Sequence, residues 1–156
     1  MEACLLLGSN WGEREVYLLR AQERIAQDCG KIMKVSKVYE TEPWGFEADT
    51  LFLNQALLID TECAPQELLH RCLRIETDLG REHVERDLVR TRVYTSRVID
   101  IDVLYYEGVV IESPELTLPH PRLHQRAFAL EPLHEIAPEW VHPLLKITAK
   151  EMLQEL

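Results

Sequence analysis

Apolar residues first gather at 3–7 (ACLLL), a run closed by Gly8-Ser9-Asn10, and this pattern predicts a buried strand ending in a turn. From Glu13 to Cys29 the spacing lengthens. Val16, Leu19, Ala26 and Cys29 fall at helical intervals, Glu13 and Glu15 sit at the N-terminal end, and Gly30 supplies a stop. Lys31–Thr41 reads as the next strand, and residues 42–50, with Pro43, Gly45 and Asp49, read as a loop. Residues 51–59 (LFLNQALLI) return to strand character, with Asn54 the one strongly polar side chain near Leu51, Phe52 and Leu53. A second helix is predicted from Pro65, with Leu68, Cys72, Ile75 and Leu79 on one stripe and Gly80 as its stop. Glu76 projects from the edge of that stripe, where a carboxylate needs a partner; Arg81 is one candidate. Residues 97–106 (RVIDIDVLYY) form the next strand, Glu107-Gly108 turns the chain, and Val109–Ile111 return as a hairpin. A loop stiffened by Pro114, Pro119 and Pro121 leads into a helix around Arg122–Leu130, and Ala149, Met152, Leu153 and Leu156 predict a short terminal helix.

The order strand-helix-strand-strand-helix-strand identifies an α+β protein with a ferredoxin-like βαββαβ core: a largely antiparallel sheet with packed helices and extra C-terminal helices. At 156 residues, with no linker or repeat, the expectation is a single domain over 1–156. Hydrophobic residues at 46% and charged residues at 28% fit a chain that buries its own core.

Charge changes the picture more than composition does. Against 17 Lys and Arg stand 27 Asp and Glu, a formal net charge of −10, which argues against a protein that coats nucleic acid or an anionic membrane. No stretch reaches the roughly 20 apolar residues of a membrane span, and Met1-Glu2-Ala3 opens the chain without a basic leader; the expectation is cytoplasmic. Cys4, Cys29, Cys63 and Cys72 are too widely spaced for a zinc knuckle or a CxxC pair and read as buried free thiols. Between residues 38 and 145 there are nine arginines and no lysine. Five of them, Arg81, Arg86, Arg90, Arg92 and Arg97, fall in a segment with only three acids, a local excess of +2. Such a cluster either pairs with Glu82, Glu85 and Asp87 or presents guanidinium forks to phosphate oxygens.

The sharpest chemical signal follows directly. In Asp100-Ile101-Asp102 the two carboxylates leave one face of a strand, with Cα atoms roughly 6.5–7 Å apart, while Ile99, Ile101 and Val103 leave the other. Two acids so placed repel each other unless a hard cation joins them, and Mg²⁺ takes one or two carboxylates plus substrate phosphate oxygens. Acids and arginines together suggest a nucleoside triphosphate site with one or two such ions. No Walker motif and no H-R-D loop is present, so P-loop and protein-kinase chemistry is unsupported. His120 and His124 have a zinc-like spacing, but Pro119 and Pro121 flank the first and no third ligand is evident; His120 donating to a phosphate fits better. Phe52 and Phe128 are either core residues or the two faces of a slot for a flat heterocycle. A metal-dependent phosphohydrolase uses the same groups, and the net charge opposes a ferredoxin-like RNA-binding module.

With these segments in view, the chain resembles the 6-hydroxymethyl-7,8-dihydropterin pyrophosphokinases of folate biosynthesis. The resemblance runs from Leu5 to about Pro143 through Leu7-Gly8-Ser9-Asn10, Thr41-x-Pro43-x-Gly45, Leu53-Asn54, Ile75-Glu76 with Leu79-Gly80-Arg81, Arg97-x-x-Asp100-Ile101-Asp102, Pro119-His120-Pro121-Arg122 and Arg126-x-Phe128. It implies transfer of the β,γ-pyrophosphoryl unit of ATP to the pterin hydroxymethyl oxygen, with release of AMP and with Mg²⁺ bound. It also implies small-molecule substrates and a place among folate-pathway enzymes. Asp100 and Asp102 match the metal-binding aspartates and, with Arg97, the catalytic set. Glu76, Arg81, Arg92, Arg97, Val103, Thr117, His120 and Arg126 match ATP-side positions. Thr41, Pro43, Trp44, Phe52, Asn54 and Phe128 match the pterin pocket. Where the family has Trp-Gly-Pro, this chain has Tyr94-Thr95-Ser96, and which of Arg86, Arg90 and Arg92 meets phosphate is left open.

Overall fold

Two apolar sets alternate along the first strand: Ala3, Leu5 and Leu7 face one way, Cys4 and Leu6 the other, and all five are buried. A strand of this kind must be covered on both faces. The structure, a computed structural model, describes residues 1–10, 13–41, 52–86 and 98–156, residues 82–86 by their backbone only. Strand β1 (Glu2–Ser9) is flanked by β4 (Phe52–Asp60) and β5 (Asp100–Tyr106), and β2 (Lys31–Val35) lies beyond β4 in the order β2-β4-β1-β5. Strand β3 (Tyr39–Thr41) continues along the same side of β4 as β2. All pairings in this sheet are antiparallel. Helices α1 (Arg14–Asp28) and α2 (Pro65–Arg86) complete the βαββαβ order of a ferredoxin-like fold. After β5 come a small pair, β6 (Ile111–Glu112) and β7 (Thr117–Leu118), a 3-10 turn at Leu123–Gln125, and helices α3 (Ala127–Ile136) and α4 (Ala149–Gln154).

The sheet separates two cores. Helices α1 and α2 bury Leu18, Ile25, Leu68 and Ile75 against Leu5, Leu7, Leu57, Ile101 and Val103. On the opposite face α3 and α4 bury Leu130, Leu133 and Met152 against Leu6, Ala56, Leu58 and Leu104. Each fully buried leucine-sized side chain contributes about 1.5–3 kcal/mol. Thr148 caps α4, its hydroxyl accepting from Glu151 N–H while the Glu151 carboxylate accepts from Thr148 N–H.

The expected stripe of α2 is the buried one; Leu68, Cys72, Ile75 and Leu79 are all within 1% of full burial. The helix does not stop at Gly80 but runs on to Arg86. Of the stripe expected for α1 only Cys29, at its C-cap, is buried; Val16, Leu19 and Ala26 face outward, and Tyr17, Leu18, Ala21 and Ile25 form the buried face. The strand expected over Lys31–Thr41 is broken at 36–38, where the buried Ser36 hydroxyl accepts from Ala56 N–H. Gly8 and Ser9 are not a turn but the end of β1. Val109–Ile111 do not return along β5; the chain turns at Gly108 (φ 70°), and Ile111–Glu112 pair with Thr117–Leu118 instead. The helix expected around Arg122–Leu130 is a 3-10 turn followed by α3, which carries Pro132 inside it. The four cysteines are buried and free, as expected.

Candidate active site

Strand register builds the site. Across three strands Asn54 pairs with Gly8, and Gly8 pairs with Asp100, so these three positions form one row; Tyr39 on β3 extends it beyond Asn54. Paired residues of antiparallel strands point to the same face. Leu53 and Ile101 lie in the core under α1 and α2, so Phe52, Asn54, Asp100 and Asp102 belong to the α3 face. At this end of the sheet that face is polar where its other half is aliphatic. Asn54, almost fully buried, donates from Nδ2 to Thr41 Oγ1 at 2.9 Å, which leaves its carbonyl oxygen to face elsewhere. Asp100 and Asp102 are half-buried on the outer strand.

The outer edge of β5 would present unpaired backbone groups, and residues expected at the site satisfy them. Glu76 Oε2 accepts from Ile101 N–H at 2.6 Å, fixing from α2 the residue between the two aspartates. The carboxylate at the edge of the α2 stripe thus has a backbone partner in β5. On the same strand a bulge at Leu104 places Leu104 and Tyr105 on one face, and Leu104 O accepts from His120 N–H at 2.8 Å. Ser9 Oγ donates to Val98 O at 2.6 Å and ties the end of β1 to the segment entering β5.

His120 Nδ1 accepts from Arg122 N–H, which assigns the ring proton to Nε2 and leaves that nitrogen as a donor. Burial first, then the positive charges of Arg126 and Arg122, hold its pKa down at about 4. A neutral imidazole donating from Nε2 suits a phosphate oxygen better than it suits general-acid work. The Arg126 guanidinium lies 5.4 Å from the centre of the Phe128 ring, so the first turn of α3 couples a cation to an aromatic face. Tyr39 OH donates to Glu135 Oε1 at 2.7 Å, and Glu135 also accepts from Lys37 N–H, clamping β3 to α3.

Thr41, Phe52, Asn54, Asp100 and Asp102 therefore share one face, with His120, Arg126 and Phe128 on the chain that crosses it. Thr117 is half-exposed on β7 and Arg81 is exposed on α2. Val103 stands apart: its side chain is buried under α1 and α2, so only its backbone is left for a nucleotide. Pro43, Trp44, Arg92 and Arg97, like Arg90 and Tyr94, lie outside the described residues, as does the side chain of Arg86. Among the described residues no three His, Cys, Asp or Glu side chains converge as a metal cluster. Two same-face carboxylates still fit Mg²⁺, which fills its remaining positions with water and phosphate oxygens. The sequence reading missed Glu135 as the anchor of β3 and Gly8 as part of the sheet face. The signal for Gly8 was available in the uninterrupted apolar run before it.

A family model described as 7,8-dihydro-6-hydroxymethylpterin-pyrophosphokinase matches residues 4–138. A Porphyromonas gingivalis protein named 2-amino-4-hydroxy-6-hydroxymethyldihydropteridine pyrophosphokinase is 43% identical over 140 residues, covering 89% of this chain and 92% of its own. An Aquifex aeolicus protein of the same name is 40% identical over 149 residues, covering 96% and 88%. Among solved structures, wild-type Plasmodium falciparum HPPK-DHPS with SDX-DHP superposes with a TM-score of 0.70 at 17% identity, a likeness of fold. That match covers 99% of this chain and 43% of the Plasmodium chain.

Proposed function

The chain belongs to the 7,8-dihydro-6-hydroxymethylpterin-pyrophosphokinase family, and from that premise we propose that the polar end of its β4–β1–β5 face is where the reaction takes place. The enzyme transfers a pyrophosphoryl group from ATP to the hydroxymethyl group of 6-hydroxymethyl-7,8-dihydropterin, a step of folate synthesis. One observation carries the assignment of the site: Asn54 and Asp100 stand in one row on one face, two strands apart.

In this reading the pterin lies at the β3–β4 side. Asn54, oriented by Thr41, reads the amide and amino edge of the ring, and Phe52 and Phe128 pack on its faces. Pro43 and Trp44 complete the pocket. The triphosphate lies at the β5 side, where Arg126 and His120 Nε2–H meet its oxygens, with Arg81, Arg92, Arg97, Thr117 and the Val103 backbone as further nucleotide contacts. Glu76 holds the Asp100-Ile101-Asp102 backbone in place from α2. The hydroxymethyl oxygen bonds to the β-phosphorus as the bond from that phosphorus to the oxygen it shares with the α-phosphate breaks. AMP leaves with the electron pair, and the hydroxyl proton is released. The protein's part is in-line positioning and charge neutralisation, because a loose phosphoryl transition state asks for little else. Mg²⁺, held by Asp100 and Asp102 when bound, supplies charge stabilisation on the phosphate oxygens.

The same reading puts the enzyme in the cytoplasm beside other folate-pathway enzymes. Four free buried thiols support a reducing compartment, and no helix among the described residues is long and apolar enough to cross a membrane. The test is AMP release from ATP with and without added 6-hydroxymethyl-7,8-dihydropterin. Pterin-dependent AMP formation is expected; pterin-independent hydrolysis would instead favour a phosphohydrolase.

A further inference from the structure

Between the amide assigned to the pterin and the carboxylates assigned to the metal lies one residue without a side chain. Gly8 pairs with Asn54 on one side and with Asp100 on the other, so it occupies the middle of the row, and it is buried within the central strand. Glycine there costs stability, because it loses more backbone entropy than any other residue and packs nothing. Its backbone gives no reason for the choice: it does not lie in the left-handed region, where Gly108 is the described glycine. Close packing gives one reason, and it points at the site: only the Asn54 amide would have to give way, by a few tenths of an ångström. A Cβ added at Gly8 would meet Asn54 Oδ1 at 3.3 Å and no other described heavy atom within 4 Å. By contrast, a Cβ at Gly30 would run into the Asp60 carbonyl oxygen at 2.4 Å, a backbone clash that makes that glycine a structural requirement.

Gly8 therefore leaves a bare patch of backbone with an apparent cost and no conformational need, at the centre of a span of roughly 9–10 Å between the β4 and β5 members of the row. We infer that this patch is the floor on which the hydroxymethyl end of the pterin rests, and that the missing side chain at Gly8 is a positioning requirement of the transfer. The inference rests on the site assignment above. A methyl group here would press on the oxygen of the amide that reads the ring and would lift the reacting arm away from the phosphorus. A displacement of about 1 Å at a reacting centre is enough to lower a rate on the order of 100-fold.

The experiment compares the unaltered enzyme with Gly8→Ala in three measurements: steady-state AMP formation with each substrate varied, binding of a non-hydrolysable ATP analogue with Mg²⁺, and thermal unfolding. The expected result is selective. Gly8→Ala raises the pterin KM or lowers kcat, with kcat/KM for pterin falling at least about tenfold, while affinity for the ATP analogue stays within about twofold. The melting temperature moves by only a few degrees, since the gain of alanine over glycine in a strand is set against the 3.3 Å approach to Asn54 Oδ1. Equal kcat/KM in the two proteins overturns the inference and leaves the site assignment standing. So does loss of ATP-analogue binding in step with pterin, or loss of the cooperative unfolding transition, because each makes Gly8 an ordinary packing residue. An unaltered enzyme that forms AMP without pterin overturns the site assignment and the inference with it.

Discussion

The two faces of the central sheet are made from the same three strands and have opposite fates. Toward α1 and α2, Leu5, Leu7, Leu53, Leu57, Ile101 and Val103 are apolar and buried, and the polar side chains on that face, Gln55 and Ser9, are buried with hydrogen-bond partners within the protein. Toward α3 and α4, the strands keep their aliphatic character only through Cys4, Leu6, Ala56, Leu58 and Leu104, and then change to Asn54, Gly8, Asp100 and Asp102. Strand alternation thus lets one continuous element serve a closed core on one side and a polar platform on the other. The rigid core fixes the spacing of groups it never touches.

Substitutions on the two faces should separate activity from stability. Asp100→Ala or Asp102→Ala is expected to lower turnover about 1,000-fold or more, several kcal/mol of lost charge stabilisation, while the melting temperature moves by only a few degrees. Leu57→Ala, on the opposite face, is expected to cost about 2–5 kcal/mol in denaturant unfolding, with kcat per folded molecule changed less than about twofold. Near-normal activity in either aspartate variant, or selective inactivation by Leu57→Ala, would break the contrast between the faces. A smaller effect tests the margin of the platform: Phe128→Ala should raise the pterin KM about tenfold and the ATP KM much less, as expected for loss of one aromatic stack. Equal losses would make Phe128 a core residue.

The smallest effect is a pH dependence. His120 has a folded pKa of about 4, below the ordinary value near 6.5, so the unfolded chain binds more protons between those values. Its contribution to stability is complete above about pH 7, is lost as pH falls from about 6.5 toward 4, and does not change further below that. NMR titration of the ring should show a midpoint near 4, and His120→Gln should flatten the acid limb of the stability curve. A midpoint near 6.5 would remove the ring from its partly buried, arginine-flanked setting.

The legible parts of the fold are those where the pattern allows one phase. In α2, Leu68, Cys72, Ile75 and Leu79 stand at clean helical intervals among polar residues. In β5, two acids alternating with β-branched residues can point only one way. In α1, Val16-Tyr17-Leu18-Leu19 is apolar at four consecutive positions, so the sequence holds no phase, and contact with the sheet selects Tyr17 and Leu18. The break between β2 and β3 is held by Ser36, which exchanges bonds with β4 through its hydroxyl, its N–H and its carbonyl, and no periodicity reveals this. At the site, the residue types and the Asp100–Asp102 face were readable. The join of Glu76 to Ile101 and of His120 to Leu104 was not, because each links distant segments through a backbone group that carries no side-chain signature.

The hydrogen bond from His120 N–H to Leu104 O bears on how the molecule can be engineered. Tyr106 is held by its pairing with Ala3, and His120 is anchored two residues earlier on the same strand, so the segment from 107 to 119 leaves β5 and returns to it like the handle of a cup, pinned on the way by Leu116 and Leu118 in the α1–α2 core. Its length does not set the position of the imidazole. An insertion at the exposed Glu107-Gly108 turn, such as a purification tag, a reporter loop or a tether to a second enzyme, enlarges the handle without moving the rim.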